Sequence, residues 1–206
     1  METLTNDTWM LSVGVFLPLV GVLVMLFIPR QEEALHKSIA LVTAGATLAV
    51  GVVTLFRFDY DQASKLQFFV DVEWIEVIRS NYTVGLDGIS LPLYILSMAV
   101  TFFVIVYTWD NMPEAGNPKA FLILMLVLQT GMAGTFVAQD LILFFVFFEV
   151  VLLPMYFMIG VWGGPDRRYA SLKFFLYTMF GSALMLVAFL ALFFQKIGRA
   201  SCRERV

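Results

Sequence analysis

One acidic residue interrupts a long apolar stretch, residues 140–164. From Leu141 about twenty consecutive residues are apolar except Glu149, enough to cross the roughly 30 Å hydrocarbon core of a bilayer as a helix. A charge at the centre of such a helix costs about 2.5 to 3.5 kcal/mol, and intramembrane acids commonly mark ion pathways. Burial favours the neutral acid, so Glu149 could exchange protons near neutral pH. The alternative is a structural acid hydrogen-bonded to a neighbouring helix.

Lys173 is the second candidate for proton chemistry. It follows Arg167 and Arg168 by little more than one helical turn, so it could equally be an interfacial lysine whose amine reaches water. If the chain turns back near Gly164, Lys173 and Glu149 differ in depth by roughly 12 Å. We therefore expect no direct contact between them, and any coupling would pass through water or a third group.

Two aspartates, Asp87 and Asp140, stand at the starts of expected helices. A carboxylate at that position commonly caps the helix or complements its dipole, which is the structural interpretation of both. The functional interpretation places Asp140 on a proton path with Glu149 and Lys173. Pro154 lies five residues after Glu149 and removes one helical hydrogen bond near the acid.

Several uncharged polar residues lie within apolar segments and could hold water chains or form interhelical hydrogen bonds, the commoner use. They are Gln129, Thr130, Tyr177, Thr178 and Ser182. His36 lies in a polar link and is expected at the surface. The sequence contains no phosphate-binding loop, dinucleotide fingerprint, metal-ligand cluster or nucleophile triad, so we expect no cofactor and no metal.

The composition predicts a multi-pass membrane protein of the all-α class. Hydrophobic residues make up 60% of the 206 residues, against roughly 45 to 50% in soluble domains. The net charge of -3 is scattered, which argues against nucleic acid as a partner. We expect about six spans: Trp9–Ile28, Ser38–Phe56, Ile89–Trp109, Ala120–Ala138, residues 140–164 and Ala170–Phe194.

The links between the spans carry further information. Residues 57–80 are polar, and the alternation within Phe68–Ile75 predicts a strand or a short interfacial hairpin. Only Gln139 and Asp140 separate the fourth and fifth spans, which predicts a tight antiparallel helical hairpin. Per residue, basic side chains are denser in the first, third and fifth links, which predicts that these face the cytoplasm.

The last eleven residues, Lys196–Val206, differ abruptly from the rest and resemble the in-frame translation of a sequencing adapter. We expect this segment, residues 196–206, to be a non-native tail, although an ordinary basic tail is the alternative. The chain's one cysteine, Cys202, lies in it. Residues 1–195 are then the transmembrane domain, and the native protein is expected to continue beyond Gln195.

Three segments resemble a known family, and the resemblance extends over Met1 to Gln195. Leu86–Leu93 (LDGISLPL), the segment around Glu149 (FFVFFEVVLLPMYFMIGVWGG) and Lys173–Thr178 (KFFLYT) are similar to the antiporter-like subunit M family of NADH-quinone oxidoreductase, respiratory complex I. The resemblance implies a fold of about fourteen helices with inverted repeats, of which this chain holds about six.

The resemblance also implies a function. In that family the glutamate that matches Glu149 is a key acid of the proton path, and its partner lysine lies on a later, broken helix. Lys173 and Asp140 match retained positions. The implied role is a proton-translocating subunit of a quinone-reducing complex in the bacterial inner membrane. It would have no redox centre of its own, and other membrane subunits, lipid and protons would be its partners.

Two alternatives stay open. The same fold serves in multisubunit sodium/proton antiporters and membrane-bound hydrogenases. The chain could therefore belong to one of those complexes instead of complex I. The chain could instead be a membrane scaffold that transports nothing, in which Glu149 only bonds a neighbouring helix. For the fragment alone we expect the Glu149 side chain to be protonated or satisfied by local hydrogen bonds.

Overall fold

In its described part the chain folds as six long helices and one β-hairpin. The structure, a computed structural model, describes residues 9–75, 80–113 and 116–203, with side chains as far as 192. The helices are α1 (Trp9–Phe27), α2 (Glu33–Arg57), α3 (Ser90–Asp110), α4 (Pro118–Val137), α5 (Leu141–Trp162) and α6 (Arg167–Arg203). Each contains a window long and apolar enough to span a membrane, which confirms the six expected spans and the all-α bundle.

The final helix is longer than expected. The sixth span was expected to end at Phe194, whereas α6 remains helical to Arg203. A helix is continued by its own backbone hydrogen bonds, so its end need not coincide with the end of its apolar stretch. Residues 204–206 of the expected tail lie outside the described residues.

His36 is buried, which corrects the expectation that it is a surface residue. Helix α2 begins at Glu33, five residues before the apolar run at Ser38, and Glu33 pairs with Lys37 at 2.9 Å in this added turn. His36 is 0% exposed, and its Nε2 lies 3.0 Å from the Pro29 carbonyl oxygen. Hydropathy indicates where a chain enters the hydrocarbon, but not where its helix starts. A helix that starts within a polar link can therefore place a residue of that link in the core.

The expected hairpin forms between α2 and α3. Strands β1 (Gln67–Ile75) and β2 (Ser80–Leu86) pair antiparallel, preceded by a 3₁₀ turn at Tyr60–Gln62. Strand β2 also pairs with the link between α4 and α5: the backbone and side-chain amides of Gln139 donate to β2 carbonyls at 2.8 and 3.1 Å. The hairpin therefore holds the link from which α5 starts, and we call this end of the bundle the hairpin end.

Helices α1 to α4 form the core, and α5 and α6 extend from it. Helix α4 is the innermost, packing against α1, α2, α3 and α5. In its spanning window 61% of the residues are buried, against 22% in α5 and 6% in α6, which packs mainly against α5. The apolar side chains that α5 and α6 expose need lipid or other protein around them.

Two glycines let α4 and α5 approach closely, in the tight hairpin that was expected. A Cβ added at Gly131 would lie 2.7 Å from Val151 Cγ2, and one added at Gly134 would overlap the Phe147 ring. Small residues permit this close approach in membrane bundles, where van der Waals packing replaces the hydrophobic drive. The α4-facing side of α5 is thereby fixed at Phe147 and Val151.

Basic residues tie the helices together at the opposite end, which we call the basic end. Lys37 Nζ donates to the Trp109 carbonyl at 3.0 Å, Lys119 Nζ to the Ile28 carbonyl at 2.7 Å, and Arg167 Nη1 to a carbonyl in the last turn of α5 at 2.8 Å. Lys37 and Lys119 lie near the start of one helix and donate to carbonyls at or just beyond the end of another. Cations are favourable at helix carboxyl ends, so these contacts stabilise the basic end.

Candidate functional site

Glu149 lies mid-span on α5, nine residues from Asp140 and about 13 Å along the helix axis. Its Oε1 atom is buried and has no hydrogen-bond partner among the described residues. That oxygen is therefore not satisfied by a local hydrogen bond, and protonation, the other half of the expectation, stays a prediction. A buried polar atom without a partner costs free energy, so it points to a proton, water or cation that completes the site.

The Glu149 side chain is on the side of α5 that faces α6. The Tyr156 and Phe175 ring centroids are 5.2 Å apart, and a Cβ added at Gly160 would lie 3.3 Å from Ser171 Oγ, which marks the α6-facing side. Glu149 precedes Tyr156 by seven residues and Gly160 by eleven, close to whole numbers of turns at 3.6 residues per turn. The acid therefore points away from the α4 contact and toward α6.

Lys173 does not reach Glu149. It lies midway between Ser171 and Phe175, level with α5 residue 158, so its depth differs from that of Glu149 by nine residues, about 13 Å. Its side chain is exposed and its Nζ lies 5.6 Å from the Tyr169 ring centroid, a cation–π contact. The expected lack of direct contact is confirmed among the described residues, and a role for Lys173 on the proton path stays a prediction.

Asp140 caps α5, as the structural interpretation expected. Its Oδ1 accepts hydrogen bonds from the Ile142 and Leu143 backbone N–H groups at 2.9 and 3.0 Å, and from the Ser80 hydroxyl at 3.0 Å. The carboxylate thus joins the start of α5 to strand β2. Its placement on a proton path stays a prediction beside this structural role.

Asp87 has the corresponding place at the start of α3. Its Oδ1 accepts from the Ser90 and Ile89 backbone N–H groups at 2.7 and 3.1 Å. The hydrogen bond from the Ser90 backbone, with help from the Ser90 hydroxyl, holds the pKa of the Asp87 carboxyl below its ordinary value. Asp87 is therefore a capping carboxylate in this structure.

Substitution of Asp140 separates its capping role from proton transfer. Asp140→Asn keeps the capping oxygen but cannot carry a titratable proton, whereas Asp140→Ala removes both. If Asp140 only caps α5, we expect Asn to preserve proton pumping and Ala to lower stability by about 1 kcal/mol. The measurement is proton pumping and thermal stability of both variants in the full-length subunit. Loss of pumping in the Asn variant with normal stability would instead place Asp140 on the path.

Within the part of the chain that the structure describes, the uncharged polar residues form no interhelical hydrogen bonds, which was one of their two possible uses. The Thr130, Thr178 and Ser182 hydroxyls donate to carbonyls of their own helices at 3.3, 2.6 and 3.1 Å. Tyr177 is 83% exposed, and both polar atoms of the Gln129 side chain are buried without a partner in the described part of the chain. Hydroxyls satisfied by their own helix keep their lone pairs free to accept from another group.

The structure also contains a groove that the sequence did not indicate. It has a volume of about 630 Å³ and lies between α1, α5 and the hairpin. Phe16, Val146 and Val150 line it with apolar surface, and Glu73 and Tyr82 add polar groups. No cluster of His, Cys, Asp or Glu within the described ranges could hold a metal ion.

Comparison with known proteins gives a family match for the last third of the chain. Residues 138–204, which include all of α5 and α6, match the family described as NADH:quinone oxidoreductase/Mrp antiporter, TM. The F(420)H(2) dehydrogenase subunit M of Methanosarcina mazei is 35% identical over 188 residues, which are 91% of this chain and 37% of that protein. The NAD(P)H-quinone oxidoreductase chain 4 1 of Nostoc sp. is 37% identical over 195 residues, which are 95% of this chain and 36% of that protein.

A solved structure agrees with these relatives. The respiratory complex I from Thermus thermophilus with bound NADH contains a chain that matches with a TM-score of 0.72 and 25% identity, covering 87% of this chain and 35% of that chain. This chain therefore spans little more than a third of the length of the proteins that it matches. Residues 138–204 therefore carry this family's domain, and over the part that it spans the chain is similar to the membrane subunits M and 4 of NADH-quinone oxidoreductases.

Proposed function

We propose that this chain is part of a proton-translocating membrane subunit of a quinone-reducing complex, and that Glu149 takes up and releases the proton. The observation that carries the proposal is the buried, unpartnered carboxylate oxygen of Glu149 in the middle of a membrane-spanning helix. A carboxylate without a partner is costly in hydrocarbon, so its charge must be balanced by a proton or by a cation that comes near. A group that alternates between these two states can move protons.

The scaffold alternative has less support. It requires a hydrogen bond between Glu149 and a neighbouring helix, because an acid kept only for structure should be satisfied by it. Helix α4 carries no ionisable side chain between Ala120 and Val137, and the nearest cation on α6, Lys173, is about 13 Å away in depth. The described neighbours of Glu149 therefore do not hold it in the way a scaffold would.

Lys173 and Asp140 are proposed to serve the same path from its two ends. Lys173 lies six residues into α6 from the basic end, and Asp140 begins α5 at the hairpin end, with Glu149 between them. Each is about 13 Å from Glu149 along the helix axes, so water would connect the three groups. In this arrangement Glu149 is the central proton acceptor and the other two are accessory groups.

We further propose which complex and which membrane contain the chain. Redox chemistry would occur elsewhere in the complex, and its energy would reach this subunit through neighbouring membrane subunits. The apolar surfaces that α5 and α6 expose suit contacts with such subunits and with lipid. We place the complex in a bacterial inner membrane, with the first, third and fifth links on the cytoplasmic side.

The experiment that tests the function is Glu149→Gln in the full-length subunit, assembled in its complex and reconstituted in vesicles. The measurement is the number of protons moved per quinone reduced. A strong fall in that ratio with normal assembly supports the proposal. Normal pumping would refute the proposal. A variant that assembles poorly, but whose assembled complexes pump normally, would support the scaffold alternative.

The electron donor and the transported ion are separate questions. One similar relative is named for F(420)H(2) and another for NAD(P)H. The complex that contains this chain could therefore take its electrons from either kind of donor. For the ion, we expect proton pumping to be unchanged when sodium is replaced by potassium or choline in reconstituted vesicles. Pumping that disappears without sodium would favour sodium/proton antiport.

A further inference from the structure

We propose that buried water binds inside the core of helices α1 to α4, between the Gln129 amide of α4 and the Tyr94 hydroxyl of α3. The site lies beside a proline in α1 that interrupts the hydrogen bonding of that helix. It is separate from Glu149 and would exist whether or not Glu149 carries protons. Two buried side chains without partners, the packing around them and the proline point to it.

Gln129 and Tyr94 are enclosed in the core and lack hydrogen-bond partners. Both residues are 0% exposed. Neither the two polar atoms of the Gln129 amide nor the Tyr94 hydroxyl has a partner among the described residues. A helix that packs on the outside of these four helices cannot reach groups so deeply enclosed. Because an unpaired amide is costly in an apolar core, a small polar molecule inside the core is the partner that fits.

The packing of the core places Gln129 beside Pro18 of α1. On α4, Gln129 lies between two residues that belong to two hydrophobic clusters, and on α1, Pro18 lies between residues of the same two clusters. The cluster neighbours are Ala133 with Val15, and Leu126 with Val22. The two helices run in opposite directions, so these pairs bracket one depth. Gln129 and Pro18 are therefore level with each other in the bundle.

Helix α1 lacks one backbone hydrogen bond at this depth. Proline has no N–H group, so Pro18 cannot donate to the carbonyl of Gly14, four residues earlier. The Tyr94 hydroxyl packs against Gly14, where an added Cβ would overlap it. Four residues are about 6 Å along the helix, so the Tyr94 hydroxyl and Gln129 differ in depth by about one turn. The Gly14 carbonyl points along α1 toward Pro18 and lies between them.

This separation suits bound water better than direct contact. A direct hydrogen bond needs about 2.7 to 3.2 Å between its heavy atoms, and the structure shows none from either side chain. One or two water molecules in series span the longer distance. They would accept from the Gln129 amide, donate to the Gly14 carbonyl and bond the Tyr94 hydroxyl, which supplies the two to four polar partners that buried water needs. Ordered water commonly restores hydrogen bonding at prolines in membrane helices.

The water site is on the side of α4 that faces away from α5. Helix α5 contacts α4 at Gly131 and Gly134. Gln129 precedes these glycines by two and five residues, which places it about 160° and 140° around the helix from them. The bound water would therefore join α1, α3 and α4 to one another, and it would not continue the path of Glu149.

A structure of the full-length subunit in its complex, at a resolution that shows ordered water, tests the proposal directly. We expect water within hydrogen-bond distance of the Gln129 amide, linked to the Tyr94 hydroxyl directly or through a second water. Direct contact between the two side chains would overturn the proposal, and so would a map with no water beside Gln129.

Substitutions give a second test, because an occupied site and an unpaired amide predict opposite effects. Gln129→Met keeps the approximate volume and removes the amide, and Tyr94→Phe removes only the hydroxyl. If water links the two groups, each variant should lower the dissociation temperature of the extracted complex by a few degrees, since it leaves the other partner poorly satisfied. If Gln129 is simply unpaired, Gln129→Met should raise that temperature.

The combined variant and a matched control complete this test. Gln129→Met with Tyr94→Phe should lose less than the sum of the single losses, because both ends of the link are then absent. Tyr82→Phe is the control: its hydroxyl already pairs with Ser12 Oγ at 3.0 Å, so its loss should add to that of Gln129→Met. A higher dissociation temperature in Gln129→Met, or additive losses in the combined variant, would overturn the water site. Neither result bears on Glu149, whose role is tested by pumping alone.

Discussion

A complex that carries Glu149→Gln should assemble normally and lose most of its proton pumping. Glutamine has nearly the same shape as glutamic acid and fits the same space between α5 and α6, but it cannot accept or release a proton. We expect transport through this subunit to fall by about a hundredfold or more, the range in which removing a proton-transferring group acts. Proton uptake by reconstituted vesicles during quinone reduction measures the loss.

Glu73→Gln is the matched control for this substitution. Glu73 lies in strand β1 at the hairpin end, is exposed and lines the groove between α1, α5 and the hairpin. The same chemical change there should leave pumping unaltered, because a solvated carboxylate has no buried charge to balance. Equal losses in both variants would mean that the loss of any carboxylate impairs the complex. The assignment of Glu149 as the proton-transferring group would then fail.

The spans, caps and depths could be predicted from the sequence because they depend on apolar length and on local chemistry. A helix rises 1.5 Å per residue, so the separation of Glu149 and Lys173 follows from counting residues. Asp87 and Asp140 cap their helices because a carboxylate there satisfies free backbone N–H groups, whatever the tertiary fold. These features need no knowledge of which helix packs on which.

The direction of Glu149 could not be predicted in the same way. Helix α5 is apolar around its whole circumference, so no polar stripe distinguishes a buried side from an exposed one. Its two contact sides are set by residues on other helices, Gly134 of α4 and Ser171 of α6. His36 was misplaced for a related reason, because only the tertiary fold reveals that its helical turn is buried.

The second large effect is expected at Gly134. Gly134→Ala adds a methyl group that would overlap the Phe147 ring, including Cγ, the ring atom nearest the backbone. The ring cannot clear that position by a small rotation, so α5 must move away from α4. Overpacking of this kind costs about 1 to 3 kcal/mol, and we expect less assembled subunit in membranes and a lower dissociation temperature of the extracted complex.

The location of the overlap makes the explanation testable. Gly181→Ala is the control, because a Cβ at Gly181 meets no atom within 4 Å and should be tolerated. Gly134→Ala combined with Phe147→Leu should recover much of the lost assembly, since removing the ring vacates the space that the methyl group needs. A double variant no better than Gly134→Ala would show that the defect does not arise from this contact. Recovery would establish that α5, and with it the direction of Glu149, is positioned by a helix contact on its opposite side.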